Sequence, residues 1–205
     1  KVSGYHLIFH PDFIRGYPLT KTIKEYGFFS YSNNKALFLS DKEEAIIINL
    51  FKSIESEYQN NIDKFSQDVM IGNIELLLVH IDRNYNRQFI TRKTIGNDTL
   101  SRMEIILNNY FSDETNQLPT VQPIAEELNL SASYLSDMLK NLTGQTAQQH
   151  IHEKLIEKAK ELLSTTNLSV SEIAYQLGFE FPQSFSKLFK KKTNLTPLEF
   201  KQTFN

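Results

Sequence analysis

The chain has 205 residues, 40% of them hydrophobic, which is enough to bury a core and suits two ordinary domains. Its 22 basic and 24 acidic residues nearly cancel, so overall charge favours no nucleic acid, membrane surface or other strongly charged partner. The absence of cysteine excludes a disulfide framework, a thiolate metal site and a cysteine nucleophile; no apolar run approaches the roughly 20 residues that span a bilayer, and the expected compartment is the cytoplasm.

The start, Lys1-Val2-Ser3-Gly4, has neither an initiator Met nor a charged-then-apolar leader pattern, so the first residues are expected to be the tail of a larger domain. Tyr5, Leu7 and Phe9 alternate with their neighbours and predict a short strand over Val2 to Phe9, ended by His10-Pro11. Further strands are expected over Tyr26 to Tyr31 and Ala36 to Leu39. Ser40 followed by Glu43 reads as a capping box, and Ile47, Leu50, Phe51, Ile54 and Tyr58 behind it have helical spacing, so a long helix should start near Asp41. A second long helix is predicted from about Phe65 to Tyr85, with Ile71, Ile74, Leu77, Leu78, Ile81 and Tyr85 as its main stripe. Val69, Met70, Leu76 and Val79 make that stripe wider than one packing face needs. Two readings share the excess: packing inside the domain, or self-association through paired helices.

Residues 86–98, among them Arg87, Arg92, Lys93, Gly96, Asn97 and Asp98, are polar and poorly periodic, as a linker would be. The expected division is therefore a first domain over 1–93 and a second over 94–205. In the second, Met103, Ile106, Leu107 and Tyr110 mark a helix that Ser112 to Pro119 close as a loop. The rest is helical in pattern, including one long helix from Gln148 to Ser164 with Ile151, Leu155, Ala159, Leu162 and Leu163 inward.

That half contains an internal repeat. Thr120, Val121, Ile124, Ala125 and Leu128 recur forty-nine residues later as Ser169, Val170, Ile173, Ala174 and Leu177. After a one-residue slip, Leu135, Ser136, Leu139, Lys140, Thr143 and Thr146 recur at a spacing of fifty as Phe185, Ser186, Phe189, Lys190, Thr193 and Thr196. Each copy reads as a capping hydroxyl, a short helix with a small inward Ala, a break at Asn129 or Gly178 with Leu130 or Phe179 behind it, and a second helix. This is the grammar of a helix-turn-helix, whose second helix enters the DNA major groove.

Residues three, four and seven apart share a face, which sorts each second helix into two sides. In the first copy Leu135, Met138, Leu139 and Leu142 are expected inward, leaving Ser133, Ser136, Asp137 and Lys140 outward. In the second Phe185, Leu188 and Phe189 are expected inward, leaving Gln183, Ser186, Lys187, Lys190 and Lys191 outward, with Lys192 beside them. Gln can bond adenine through two hydrogen bonds, and Lys can bond guanine or neutralise phosphate. These nine outward residues are the expected DNA-binding set.

Ser169-Val-Ser-Glu-Ile-Ala-Tyr-Gln-Leu-Gly-Phe179, then Ser184-Phe-Ser-Lys-Leu-Phe-Lys190, then Thr196-Pro197, resemble the signature of the AraC/XylS family of bacterial transcription regulators. The resemblance covers about residues 99–205. It implies a mainly α chain whose DNA-binding domain is two helix-turn-helix modules joined by a long helix, acting on double-stranded DNA, with a possible RNA polymerase contact. Asn194 stands where the family usually has Gly before Thr-Pro, and Asp137 where it often has a basic residue. Residues 99–205 hold 10 basic and 12 acidic side chains, so affinity must come from local arrangement. Gly4-Tyr-His-Leu-Ile-Phe-His-Pro-Asp-Phe13 and the two long helices resemble the end of a cupin-like regulatory domain, which implies a small α+β segment with a helical pair and a homodimer through those helices.

Catalysis and cofactors are not expected. His6 and His10 on a strand would lie about 13 Å apart, and His150 and His152 on a helix point in different directions, so neither pair has metal-ligand spacing. No phosphate-cradling Gly-rich loop, HExxH or nucleophile elbow is present. The alternative to a DNA-binding regulator is a helical protein-interaction module without DNA specificity. Near-neutral charge and Asp137 favour it, and the face of Gln183, Ser186, Lys187 and Lys190 opposes it.

Overall fold

The computed structural model describes residues 4–31, 35–91, 93–112 and 117–204, and these hold ten α-helices and no strand. The chain divides into two units, Lys1–Arg92 and Lys93–Asn205. The first contains α1 (Leu19–Thr22), α2 (Asp41–Gln59) and α3 (Ser66–Thr91), with 3-10 turns at Pro11–Ile14, Ile23–Glu25 and Gly27–Ser30.

Helix α2 starts where the capping box placed it. The Glu43 carboxylate accepts from the Ser40 N–H at 2.8 Å and from its hydroxyl at 2.7 Å. Those two bonds, with Arg87 at 2.7 Å, hold the Glu43 carboxyl below its ordinary range. Helix α2 packs along α3, and Ile14, Leu19, Ile54, Ile71, Ile74 and Leu78 form a buried core that Leu7, Phe9, Phe13, Tyr17 and Tyr26 flank. Tyr58, expected inward, is exposed.

None of the three expected strands forms. Of the first, Val2 and Ser3 lie outside the described residues, and 4–10 run without regular structure. Tyr5 stacks on Phe51 at 5.3 Å between ring centres, while Leu7 and Phe9 join the core. The alternation there marks which side chains face helices, not a hydrogen-bonded ladder. Gly27–Ser30 closes into a 3-10 turn. In the third segment, backbone groups that a strand would pair are bonded by side chains of α3 instead. The Tyr85 hydroxyl donates to the Lys35 carbonyl at 3.1 Å, Arg87 donates to the Phe38 carbonyl at 2.8 Å, and the Phe38 N–H donates to Gln88 Oε1 at 2.9 Å.

The expected linker is helical too. Residues 86–91 belong to α3 and 93–98 to α4 (Lys93–Ser112), while Arg92 lies outside the described residues. Asn84, Gln88 and Thr99 are buried polar residues, and Arg87 ties α3 to Glu43. Polar side chains turned inward are what hid the helical period.

The second unit continues with α5 (Val121–Glu127), α6 (Ala132–Thr143), α7 (Ala147–Thr165), α8 (Val170–Gln176), α9 (Pro182–Thr193) and α10 (Pro197–Gln202). Part of the expected loop before α5, residues 113–116, lies outside the described residues. Met103, Ile106 and Leu107 of α4 are buried as their spacing required. Helix α7 is the spine: its 19 residues span roughly 28 Å at 1.5 Å each. It begins at a capping box between Thr146 and Gln149, buries Ile151, Leu155, Ile156, Ala159, Leu162 and Leu163, and touches α4, α5, α6, α8, α9 and α10.

Candidate nucleic-acid interface

The two copies are alike down to individual hydrogen bonds. Helices α5 and α8 have 7 residues each, and α6 and α9 have 12. Ala125 and Ala174 have no exposed surface, so each short helix crosses its partner closely. At the first break the Leu130 N–H donates to the Ala125 carbonyl at 2.8 Å, and the Phe179 N–H donates to the Ala174 carbonyl at 2.9 Å. This six-to-one closure requires a left-handed residue between, and Asn129 (φ 57°) and Gly178 (φ 86°) supply it. At the end of the second helix Gly144 (φ 82°) and Asn194 (φ 63°) are again left-handed, in reverse order of residue type, but here the left-handed residue itself closes the helix, its N–H donating to the Lys140 or Lys190 carbonyl at 2.9 Å. The Thr143 hydroxyl donates to the Leu139 carbonyl at 2.9 Å and the Thr193 hydroxyl to the Phe189 carbonyl at 2.8 Å. The slip in spacing is Glu180, one extra residue in the turn before α9.

The copies differ at their caps. Ser169 accepts from the Glu172 N–H at 3.2 Å and its own N–H donates to the Glu172 carboxylate at 2.7 Å; the Ser169 side chain first, and then its N–H, hold that carboxyl below its ordinary pKa. Thr120 occupies the same position with no side-chain cap bond. The residue three further on is Pro123, which has no N–H to give. At the second helix the pattern inverts: Ser131 accepts from the Tyr134 N–H at 3.2 Å, whereas Phe181 caps α9 with no side-chain bond and Pro182 at the first helical position.

The outward faces also differ. Leu135, Met138 and Leu139 of α6 are buried as expected, and Leu142 is half-buried. A Cβ added at Gly96 of α4 would lie 3.3 Å from Leu142. Of the residues expected outward, Lys140 is exposed, but Ser133, Ser136 and Asp137 are half-buried. On α9, Phe185 and Phe189 are buried and Leu188 is half-buried, while Gln183, Lys187, Lys190, Lys191 and Lys192 are exposed and Ser186 is half-buried. Phe185 and Phe189 meet at 5.7 Å, and Phe200 of α10 closes on Phe189 at 5.5 Å, a stack of rings that fixes the helix behind its lysines. The end of α9 lies near α7, where burial and then Lys192 and Lys191 push the His152 imidazole below its ordinary value. Gly178 also makes room for a neighbour. A Cβ there would collide with the backbone of Gln117 and Leu118, so the stretch of chain entering α5 rests on the turn of the second copy.

The helix-turn-helix domain family matches residues 124–203, across both copies, and is of AraC/XylS type. Residues 124–203 of this chain are thus a helix-turn-helix domain of AraC/XylS type. An HTH-type transcriptional regulator in the cgkA 5′ region of Pseudoalteromonas carrageenovora is 40% identical over 103 residues, covering 50% of this chain and 58% of that protein. The HTH-type transcriptional activator RhaS of Escherichia coli is 33% identical over 108 residues, covering 51% of this chain and 37% of that protein. The C-terminal domain of the two-component response regulator yesN from Fusobacterium nucleatum is 36% identical, covers 51% of this chain and 98% of that chain, and superposes with a TM-score of 0.45. The chain thus spans less than two thirds of the length of the two regulators. In the AraC/XylS-type domain Asn194 holds the left-handed position before Thr196-Pro197, as its residue type allows.

Elsewhere the structure reassigns the histidines. His10 accepts from the Asp12 N–H through Nδ1 and so caps a 3-10 turn. His150 lies 2.9 Å from the Thr143 hydroxyl, and His152 2.8 Å from Gln148 Nε2. No group of three metal-ligating side chains occurs among the described residues, and no helix among them is long and apolar enough to cross a membrane.

Proposed function

We propose that this chain is a transcriptional regulator that binds double-stranded DNA through its AraC/XylS-type domain, with α6 and α9 entering successive major grooves about 34 Å apart along one face of the duplex. One observation carries the reading: α9 presents Gln183, Lys187, Lys190 and Lys191 exposed on a helix whose opposite side is locked by Phe185 and Phe189. Gln183 and Lys187, one turn apart near the start of α9, face base edges. Lys190 and Lys191, further along, meet phosphates, and Ser186 supports either. Helix α6 contributes through Lys140 and, at closer approach, Ser133, Ser136 and Asp137, with Asp137 suited to accept from a cytosine amino group.

The test is selection from a random duplex pool, followed by affinities on single-base variants at two salt concentrations. Gln183→Ala relaxes preference at one or two positions, at about 1–3 kcal/mol on the preferred site. Lys191→Ala weakens all sequences alike and lowers the salt slope by about one unit. A folded protein that enriches no sequence at low salt leaves the interaction module as the better reading.

A second reading concerns assembly and rests on α3. Val69, Leu76 and Val79 on its outer side are 44%, 47% and 51% exposed, in a helix otherwise rich in buried apolar residues. Gly72 lies between them with open space around it. The spacing of three and seven forms one seam along the helix. A homodimer through this seam is the proposal, and Leu76→Glu gives monomers. A whole chain that sediments as a monomer at high micromolar concentration removes it.

A further inference from the structure

The residue at the head of α9 breaks the rule that its own repeat sets. At the aligned position of the first copy Ser131 caps α6 by accepting from the Tyr134 N–H. The second copy has Phe181 there, which makes no side-chain cap bond and is 57% exposed as a residue. Folding gains nothing from this exchange: it forfeits a cap and leaves a large apolar side chain in water. Nor is Phe181 a failed core residue. Phe179, two residues before, takes the core place, buried and meeting Phe185 at 5.5 Å, while Phe181, beyond the extra residue Glu180, stays exposed.

The backbone holds Phe181 firmly. A residue before proline is confined to extended conformations, and Phe181 has φ −126° and ψ 119° ahead of Pro182. With only two side-chain torsions to fix, the ring loses little entropy on making a contact. It stands at the end of α9 that carries Gln183, the end of a recognition helix that meets base edges. The apolar feature that the major groove displays is the thymine 5-methyl group.

We propose that Phe181 packs on the 5-methyl group of a thymine at the edge of the sequence contacted by α9, and so acts as a specificity residue beside Gln183. This rests on the DNA-binding reading above. The test uses the full chain and the duplex selected from a random pool, with each thymine near the Gln183-dependent positions replaced in turn by deoxyuridine, which removes only the methyl group. One replacement should cost about fourfold in affinity, the effect of burying one methyl-sized group. The Phe181→Ser protein, which regains the cap of the first copy and should fold at least as well, should bind thymine and uracil duplexes alike at that position. If no replacement matters while Gln183→Ala still changes base preference, or if the methyl effect persists in Phe181→Ser, the inference fails and the DNA-binding reading stands. If Gln183→Ala also leaves preference unchanged in a folded protein, docking through α9 fails and this inference with it.

Discussion

The two modules of the second half share a scaffold and differ on the face that scaffold presents. Inward and at the turns the copies match: Ile124 with Ile173, Ala125 with Ala174, Leu128 with Leu177, Leu135 with Phe185, Leu139 with Phe189 and Thr143 with Thr193, and the four left-handed positions are filled by Asn or Gly in exchangeable order. Outward, α6 offers exposed Lys140 near half-buried Asp137, whereas α9 offers exposed Lys187, Lys190, Lys191 and Lys192. The inward positions of the repeat are therefore held alike while the outward ones diverge, and the second module carries a local cluster of exposed lysines on a near-neutral chain. On the proposed DNA-binding reading, electrostatic affinity would be concentrated in α9, and α6 would contribute more by shape and hydrogen bonding.

The strongest way to break this comparison is at the shared core. Phe189 and its counterpart Leu139 have no exposed surface. Phe189→Ala should cost about 3–5 kcal/mol and Leu139→Ala about 2–5 kcal/mol in denaturant unfolding of the whole chain. DNA affinity lost in either variant then reports unfolding. If Phe189→Ala is silent, the ring stack against Phe185 and Phe200 does not hold α9.

The left-handed positions sharpen the comparison at smaller cost. Gly144 needs only its positive φ, since a Cβ there meets open space, so Gly144→Ala should cost about 1–2 kcal/mol, and Gly144→Asn less, following Asn194. Gly178 needs both the positive φ and the missing Cβ, because the backbone of Gln117 and Leu118 fills the space. Gly178→Ala should therefore cost clearly more than Gly144→Ala by the same unfolding measurement. Equal costs would mean that the chain entering α5 moves aside freely.

Legibility in the sequence followed where each residue served one purpose. The repeat, both turns, the spine α7 and the inward positions could be read because apolar spacing and Asn or Gly each carried a single meaning. Strands were misread in the first half because alternating Tyr5, Leu7 and Phe9 report contact with α2 and the core, and alternation alone does not distinguish packing on a helix from pairing in a sheet. The linker was misread because Arg87 and Gln88 turn inward to bond Glu43 and the 36–38 backbone, and a helix whose polar residues face its own domain shows no clean stripe. On α6, Ser133, Ser136 and Asp137, expected outward, are half-buried, because a helical wheel carries no account of the elements that pack around the helix. The exposed Phe181 at the head of α9 was not anticipated although its signal was present: an aromatic before Pro182 at a position where the first copy has a capping Ser.

The smallest expected effect tests the cap asymmetry, and it separates the copies most cleanly. Ser169→Ala removes the acceptor for the Glu172 N–H, so at neutral pH it should cost about 1 kcal/mol in denaturant unfolding. It also removes the side chain that is the largest influence holding the Glu172 carboxyl below its ordinary value. Thr120→Ala should cost no more than a few tenths of that, because Pro123 offers no N–H for Thr120 to accept. The two should also differ in pH dependence. Bonds from Ser169 hold the Glu172 carboxyl below its ordinary value, so its contribution is present above that ordinary range and is lost as pH falls through the lowered value. The Ser169→Ala cost should accordingly shrink toward acid pH, leaving the part due to the Glu172 N–H, while the Thr120→Ala cost should stay flat. A Ser169→Ala cost that is unchanged from about pH 7 down to acid would show that the Ser169 hydroxyl does not stabilise the Glu172 carboxylate, since the backbone N–H of residue 169 still donates to it in the variant. A Thr120→Ala cost equal to that of Ser169→Ala would show that Thr120 finds another donor, and the two modules would then start their first helices by the same means after all.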